Sequence, residues 1–229
     1  MKTVLITGAS GNLGKVVCKQ FLSSGNRVIA IIGHKNTLTD LLPNDHLNIR
    51  SVDLNAETEV NLLSDELCTL YKRVDVAVFL AGGFASGEIQ NSGKKQLDDM
   101  FKLNFETAYF FSRQIFLHMQ KNNGGHMFFV GARPAIEAKA AVNMLPYALS
   151  KSLVLKLSEI YNAAGRKNNV VSHVLIPSII DTPDNRKSNP DADFTKWVDP
   201  ENIAQTILFA CSEPGSAIRE GIFKVYGES

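Results

Sequence analysis

Tyr147 and Lys151 stand four residues apart in the stretch PYALSK, residues 146–151, directly behind a proline. On a helix that spacing puts a phenol and an ammonium on one face, one turn apart. A free phenol, with a pKa near ~10, is a sluggish acid at neutral pH, and a neighbouring ammonium favours phenolate and lowers that value. The pair suits proton transfer. An isolated Tyr-x-x-x-Lys, however, is equally an ordinary amphipathic helix with a solvated lysine. A second chemistry is written in TGASGNLG, residues 7–14, where Gly8, Gly11 and Gly14 recur every third residue. Glycines so spaced let the backbone approach a pyrophosphate and leave N–H groups free at a helix N-terminus to meet its charge. Without a ligand, the same residues make a tight strand-to-helix turn.

Both motifs need a scaffold, and the rest of the chain supplies one. Short apolar runs rich in β-branched residues fall at 3–6, 27–32, 47–52, 74–80, 126–130, 170–176 and 221–226. Segments of helical period lie between them near 12–24, 57–71, 97–121, 147–164 and 200–212. This alternation predicts a single α/β domain over residues 1–229, a Rossmann-type doubly wound fold with a seven-stranded parallel sheet flanked by helices. In the fourth helix Leu149, Leu153, Leu157, Ile160 and Ala164 mark an apolar face, Pro146 fits the first turn and Gly165 the C-terminal cap. Residues 178–198 form a polar, proline-punctuated segment without clear periodicity. Following a strand directly, it reads as a substrate lid.

Composition narrows the partners. A chain of 229 residues with 45% hydrophobic content can bury one sizeable core. Its formal net charge of +1 gives no footprint for nucleic acid or an acidic membrane surface. Cys18, Cys68 and Cys211 are dispersed, which points to reduced, half-buried thiols and to neither a disulfide framework nor a metal site. No apolar run approaches ~18 residues, and a soluble, cytoplasmic protein acting on a small molecule is expected. His34, His46, His118, His126 and His173 lack metal-ligand spacing; His173 reads as a satisfied core or edge residue, and Trp197 as a lid anchor.

Further candidates fall at the carboxyl ends of strands. SVDLN sets Asp53 at the end of the third, where it can accept from an adenine amino group or cap a helix. FLAGGF sets Ala81, Gly82 and Gly83 at the end of the fourth, small enough for a flat cofactor to lie across them. TGASGNLG, VDL, LAGG, Asn104 in FKLNFETAY, YALSK and IPSIIDT occur in this order along nearly the whole chain. In order and approximate spacing they resemble the short-chain dehydrogenase/reductase family.

That resemblance implies roles. Gly8, Ser10, Leu13 and Gly14 would surround the pyrophosphate and its ribose, with Gly11 and Asn12 in the same turn. Asp53 and Leu54 would flank the adenine, and Ala81, Gly82 and Gly83 would line the ribose path. Tyr147 would be the proton donor or acceptor, and Lys151 its pKa modulator and ribose ligand. Asn104 would kink a helix and hold a water behind the lysine. Pro177 and Thr182 would position the nicotinamide carboxamide. A homodimer or homotetramer, built through the long helices near 97–121 and 147–164, is expected on the same ground.

Three departures from the family pattern carry information. The middle glycine of the turn comes one position early. The second strand ends at Ile32, followed by Gly33, His34 and Lys35, without the carboxylate that NAD-preferring members place there. An absent carboxylate beside His34 and Lys35 favours NADP(H) over NAD(H). The third departure is Ala132, which takes the place of the family's catalytic serine. An oxyanion donor is typically worth ~10²–10³ in rate, so reduction of an ordinary ketone should suffer.

One branch, the dihydropteridine reductases, lacks that serine and is active, and the chain is similar to it in LAGGF, GARPAI and IDTPDNRKSNPDADFTKW. The likeness implies hydride transfer to a conjugated heterocycle such as quinonoid dihydropterin; Phe84 could stack on the ring or simply pack its loop, and Arg133 or the polar lid could meet the ring edge. The segment PAIEAKAAVNML is longer than in that branch, and Asn104 is retained as in ordinary members. The alternatives are a carbonyl or enoyl reductase lacking the serine and a non-catalytic NADP(H)-sensing protein.

Overall fold

A computed structural model of the protein describes residues 1–39, 41 and 44–228. Its strands are β1 (Thr3–Thr7), β2 (Arg27–Ile32), β3 (Leu47–Ser51), β4 (Val76–Phe79), β5 (Gly125–Val130), β6 (Val170–Pro177) and β7 (Ile222–Val225). They pair in parallel in the order β3-β2-β1-β4-β5-β6-β7, one seven-stranded sheet. Every strand expected from the sequence is present, with ends shifted by a residue or two. The winding direction reverses between β1 and β4, and a crevice opens at the carboxyl ends there, where ligands bind in open α/β sheets.

The helices are α1 (Asn12–Ser23), α2 (Glu57–Leu70), α3 (Lys94–Phe101), α4 (Thr107–Lys121), α5 (Ala138–Ala141), α6 (Leu145–Gly165), α7 (Pro183–Ser188) and α8 (Pro200–Ala210). Because side chains alternate across a strand, two cores form. Leu5, Ile29, Ile31, Phe79, Met127 and Phe129 meet Val60 and Leu67 of α2, Phe111 and Ile115 of α4 and Leu157 and Tyr161 of α6. On the other face Val4, Ile6, Val28, Val78 and Phe128 meet Val17 and Phe21 of α1 and Ile203 and Ile207 of α8. This Rossmann-type sandwich holds the glycine turn and the start of α6 at one edge.

The continuous helix expected over 97–121 is interrupted. Residues Lys102–Glu106 form a π turn between α3 and α4. The Thr107 hydroxyl donates to the Leu103 carbonyl at 2.8 Å, while the Thr107 N–H goes one residue further back, to Lys102 O. A threonine thus takes over the carbonyl that its own N–H would have used, and the ladder slips by one residue. Asn104 is at the centre of that slip and is buried.

The lid also differs from expectation, for it is not structureless. It carries α7 and a 3₁₀ turn, Phe194–Lys196. Thr182 caps α7 by accepting the Asn185 N–H at 3.2 Å, with Pro183 at the first helical position. A helix this short leaves too little periodicity to read. Its base is closed by Asp181 N–H to Val198 O at 2.8 Å and Val198 N–H to Ile179 O at 2.9 Å. Arg186 donates twice to Asp181, at 2.6 and 2.7 Å, and lies over Phe194, which packs on the buried Trp197. Among the described residues no helix is long and apolar enough to cross a membrane.

Between β5 and β6 lies an imidazole pair, His173 buried and His126 partly so. His173 accepts the Gly221 N–H at its Nδ1, 3.1 Å away, so its Nε2 carries the proton offered to His126 Nδ1 at 3.3 Å. Both rings are neutral in this chain of bonds. Burial, then the neighbouring Lys2 and Arg219, push His126 down to about 4. Burial, then His126 and Arg219, push His173 down to about 3. The unfolded chain, with imidazoles near ~6.5, binds these protons first. The pair's contribution to stability is therefore fully present above that value and falls as pH drops from there toward about 3. Urea unfolding midpoints measured against pH should show this slope, and it should be reduced in His173→Leu.

Candidate active site

The cleft at the carboxyl edge encloses about 790 Å³. Gly8, Ser10 and Gly11 line it from the β1 turn, His34 and Lys35 from the β2 end, Asp53 and Leu54 from the β3 end, and Ala81 and Gly82 from the β4 end. Four chain segments far apart in sequence thus bring nine expected cofactor residues to one cavity.

The glycine turn is built by backbone packing. Gly8 has φ +65°, and a Cβ on it would lie 2.7 Å from Ala81 N. A Cβ on Gly14 would lie 2.2 Å from Gly8 O and 2.8 Å from Ala9 Cα. No side chain caps α1, whose N-cap is Gly11. Its first N–H groups thus keep their capacity to bind an anion. These features fit a dinucleotide pyrophosphate, the group such a cradle would hold. Asn12 is turned toward the lid and donates to Asp184 Oδ2 at 2.8 Å, and Leu13 packs against the α1-side core.

At the adenosine end the picture gains residues that the sequence did not single out. Asn36 donates to Ser10 Oγ at 3.1 Å, and Thr37, Val52, Leu103 and Thr107 also line the cleft. The His34 ring is held between Ser51 Oγ at 2.9 Å and Glu59 Oε2 at 2.8 Å. That hydrogen bond, with one from Asp53 N–H, holds the Glu59 carboxyl below its usual range. Asp53 also turns one oxygen onto Asn55 N–H at 3.0 Å.

Gly82, on the cleft wall, faces Lys151 from the first turns of α6. Lys151 is buried and its Nζ donates to Val130 O at 2.9 Å. A Cβ on Gly82 would stand 3.3 Å from that Nζ and 2.6 Å from Asn104 Oδ1. Asn104 Oδ1 accepts the Gly83 N–H at 2.9 Å, and its Nδ2 donates to Ser150 Oγ at 3.1 Å. The π turn thus brings Asn104 into contact with the residues around Lys151, as its expected helix-kinking place requires.

Expectation and structure part over the phenol. Lysine was expected to lower it, yet burial pushes Tyr147 up to about 12 and Lys151 down to about 8. The ammonium is directed at Val130 O, and desolvation is what acts on both groups. At neutral pH Tyr147 therefore holds its proton. That is the form a proton donor needs.

Phe84 is 62% exposed and meets the Tyr147 ring edge-on, with centroids 5.1 Å apart. Ala132 closes β5, is buried and brings no hydroxyl. Arg133 makes contacts within the protein. Its Nε donates to Glu137 at 2.8 Å and its guanidinium lies over Tyr226, 5.1 Å from the centroid. Pro177 ends β6, and Thr182, nearly buried, keeps a hydroxyl proton to donate while capping α7. Ser150, which no sequence motif singled out, contacts Asn104 through the π turn.

Known proteins share this layout. Relatives include uncharacterized oxidoreductases of Staphylococcus haemolyticus, 26% identical over 93% of this chain and 92% of that protein, and of Staphylococcus aureus, 21% identical with the same coverage. In structure the chain is similar to an oxidoreductase of the short chain dehydrogenase/reductase family from Burkholderia thailandensis, with a TM-score of 0.86, 24% identity, and coverage of 99% of this chain and 91% of that one. It is also similar to ElxO with NADP bound, with a TM-score of 0.87, 20% identity, and coverage of 99% and 97%. The model of the short chain dehydrogenase family matches residues 2–193, from the glycine turn through Tyr147 and Lys151 into the lid. With the match running through the glycine cradle and the phenol–ammonium pair, the chain belongs to the short-chain dehydrogenase family of NAD(P)-dependent oxidoreductases.

Proposed function

We propose that this oxidoreductase takes NADP(H) in preference to NAD(H) and reduces a flat, conjugated acceptor of the quinonoid dihydropterin kind, with Tyr147 as the proton donor. The observation that carries the reading is the pairing of an exposed Phe84 ring against Tyr147 with a buried, hydroxyl-free Ala132. A planar ring can stack on Phe84 with a heteroatom toward the phenol. A conjugated electrophile needs less polarisation than a simple ketone, so a missing hydroxyl at residue 132 costs it less. A ligand-held small molecule, not a macromolecule, is the partner.

A bound reduced nicotinamide would supply the hydride. The chain does the rest. Gly8, Gly11 and Gly14 admit the pyrophosphate to the N-terminus of α1, while Ala81, Gly82 and Gly83 leave room for the adjacent ribose. Lys35 lines the end of the cleft without a carboxylate on β2 beside it, which supports NADP(H). Lys151 steadies a ribose hydroxyl, and its charge aids the phenol as its proton leaves. Tyr147 gives that proton to the acceptor heteroatom, so one hydride and one proton are added together. Pro177 and Thr182 bound the far end of the site, where a carboxamide can meet the Thr182 hydroxyl.

The test is NADPH oxidation with quinonoid dihydropterin generated in situ, set beside simple ketones and repeated in Ala132→Ser. Pterin turnover above background, within about threefold in the variant, is expected. No pterin turnover, with ketone reduction rising ~10² in Ala132→Ser, would move the reading to a carbonyl reductase lacking its serine. Cofactor binding with no turnover on any acceptor would favour a sensing role.

A further inference from the structure

We propose that Ser150 is a positioning residue for the reaction, acting through Asn104; the proposal rests on the reductase reading above. Ser150 is fully buried on α6, three residues after Tyr147 and one before Lys151. Its Oγ donates to Tyr147 O at 2.7 Å, which commits its only proton. Toward Asn104, 3.1 Å away, it can therefore only accept. The atom facing it must be the Asn104 amide nitrogen.

This resolves an orientation that an amide alone leaves open. With Nδ2 held by Ser150, Oδ1 is turned to the Gly83 N–H at 2.9 Å. Flipped, the amide would set two donors against each other there. Met100 Sδ, at 3.8 Å, is the other acceptor near Nδ2 and a weak one. The oxygen so placed sits where a Cβ on Gly82 would come within 2.6 Å, and the same Cβ would lie 3.3 Å from Lys151 Nζ. The Ser150 hydroxyl therefore acts with the Gly83 N–H, anchoring the nitrogen end of Asn104 so that its oxygen stays on the cofactor-facing turn beside the lysine. It also ties the first turns of α6, which carry Tyr147, to the π turn.

Ser152 provides the contrast. Its Oγ donates to Ala148 O at 2.9 Å and Ala135 O at 3.2 Å, and it reaches neither Asn104 nor Gly83.

The experiment compares Ser150→Ala, Ser150→Cys, Asn104→Ala and Ser150→Ala/Asn104→Ala with wild type and Ser152→Ala. Cysteine keeps volume but is a weak acceptor, so it guards against a cavity effect. Two readouts are taken: kcat with the acceptor, and the emission of NADPH in its binary complex with the protein. Ser150→Ala and Ser150→Cys should lower kcat about tenfold, the worth of one hydrogen bond in a barrier. The NADPH Kd should move by less than about threefold, because the glycine turn is distant. The double variant should be no slower than Asn104→Ala alone, and its bound-NADPH emission should match that variant's. Ser152→Ala should behave as wild type. Additive losses, or wild-type kcat and emission in Ser150→Ala, would overturn the proposal. Should wild type reduce no acceptor, the emission series still decides on Ser150, and only the reductase reading fails.

Discussion

Tyr147→Phe should lower kcat by ~10²–10⁴ while leaving the NADPH Kd within about threefold. The ring is kept, so its edge-on contact with Phe84 survives and the pocket retains its shape. What goes is the phenolic proton. Burial holds that proton on the oxygen at neutral pH, with the pKa pushed up to about 12, so the unaided phenol is neutral and protonated but a weak acid. Lys151 must therefore assist in the complex, when its ammonium, itself pushed down to about 8, is drawn into the cofactor's ribose. Rapid-mixing kinetics and equilibrium titration on the same preparation separate the two quantities. An equal loss of affinity and rate would mean that Tyr147 binds cofactor and does not donate a proton.

Gly14→Ala should cost about 1–3 kcal/mol of folding stability and raise the cofactor Kd by ~10². The new Cβ would fall 2.2 Å from Gly8 O and 2.9 Å from Ala9 C. These are backbone atoms, which cannot swing aside as the end of a side chain can. The turn would have to open, and Gly8 cannot retreat because Ala81 N stands behind it. Gly11→Ala makes the control, since its Cβ meets Gly8 O alone, at 3.3 Å. Calorimetric titration with NADP should register a far smaller change for Gly11→Ala. Equal losses would show that the close fit of the turn does not set affinity.

These two residues were legible in the sequence because their chemistry depends on near neighbours. A glycine triplet after a strand and a Tyr–Lys spacing are local patterns, and the seven strands were legible as short β-branched runs, those inside the sheet buried on both faces. What escaped depends on contacts that only the fold creates. The π turn follows from Thr107 taking the Leu103 carbonyl, and a threonine inside a helical period gives no hint of that choice. Ser150 looked like any helical serine until the π turn set Asn104 opposite it. Glu59 reaches His34 across the gap between α2 and the β2 end. The expected depression of the phenol failed because spacing along a helix says nothing of burial, and burial outweighed the nearby ammonium here. Arg133 is the converse case. Glu137 stands four residues on, a spacing that could have forecast the ion pair now occupying it.

The central claim is that hydride leaves a bound nicotinamide and the proton leaves Tyr147. It is tested most directly by a single turnover with NADPH deuterated at the transferred position, quinonoid dihydropterin as acceptor, and wild type beside Tyr147→Phe. The expected result is deuterium in the reduced pterin, a primary isotope effect on the loss of nicotinamide absorbance, and a rate that collapses in the variant. Unlabelled product, or absorbance that stays constant although NADPH is demonstrably bound, would contradict it.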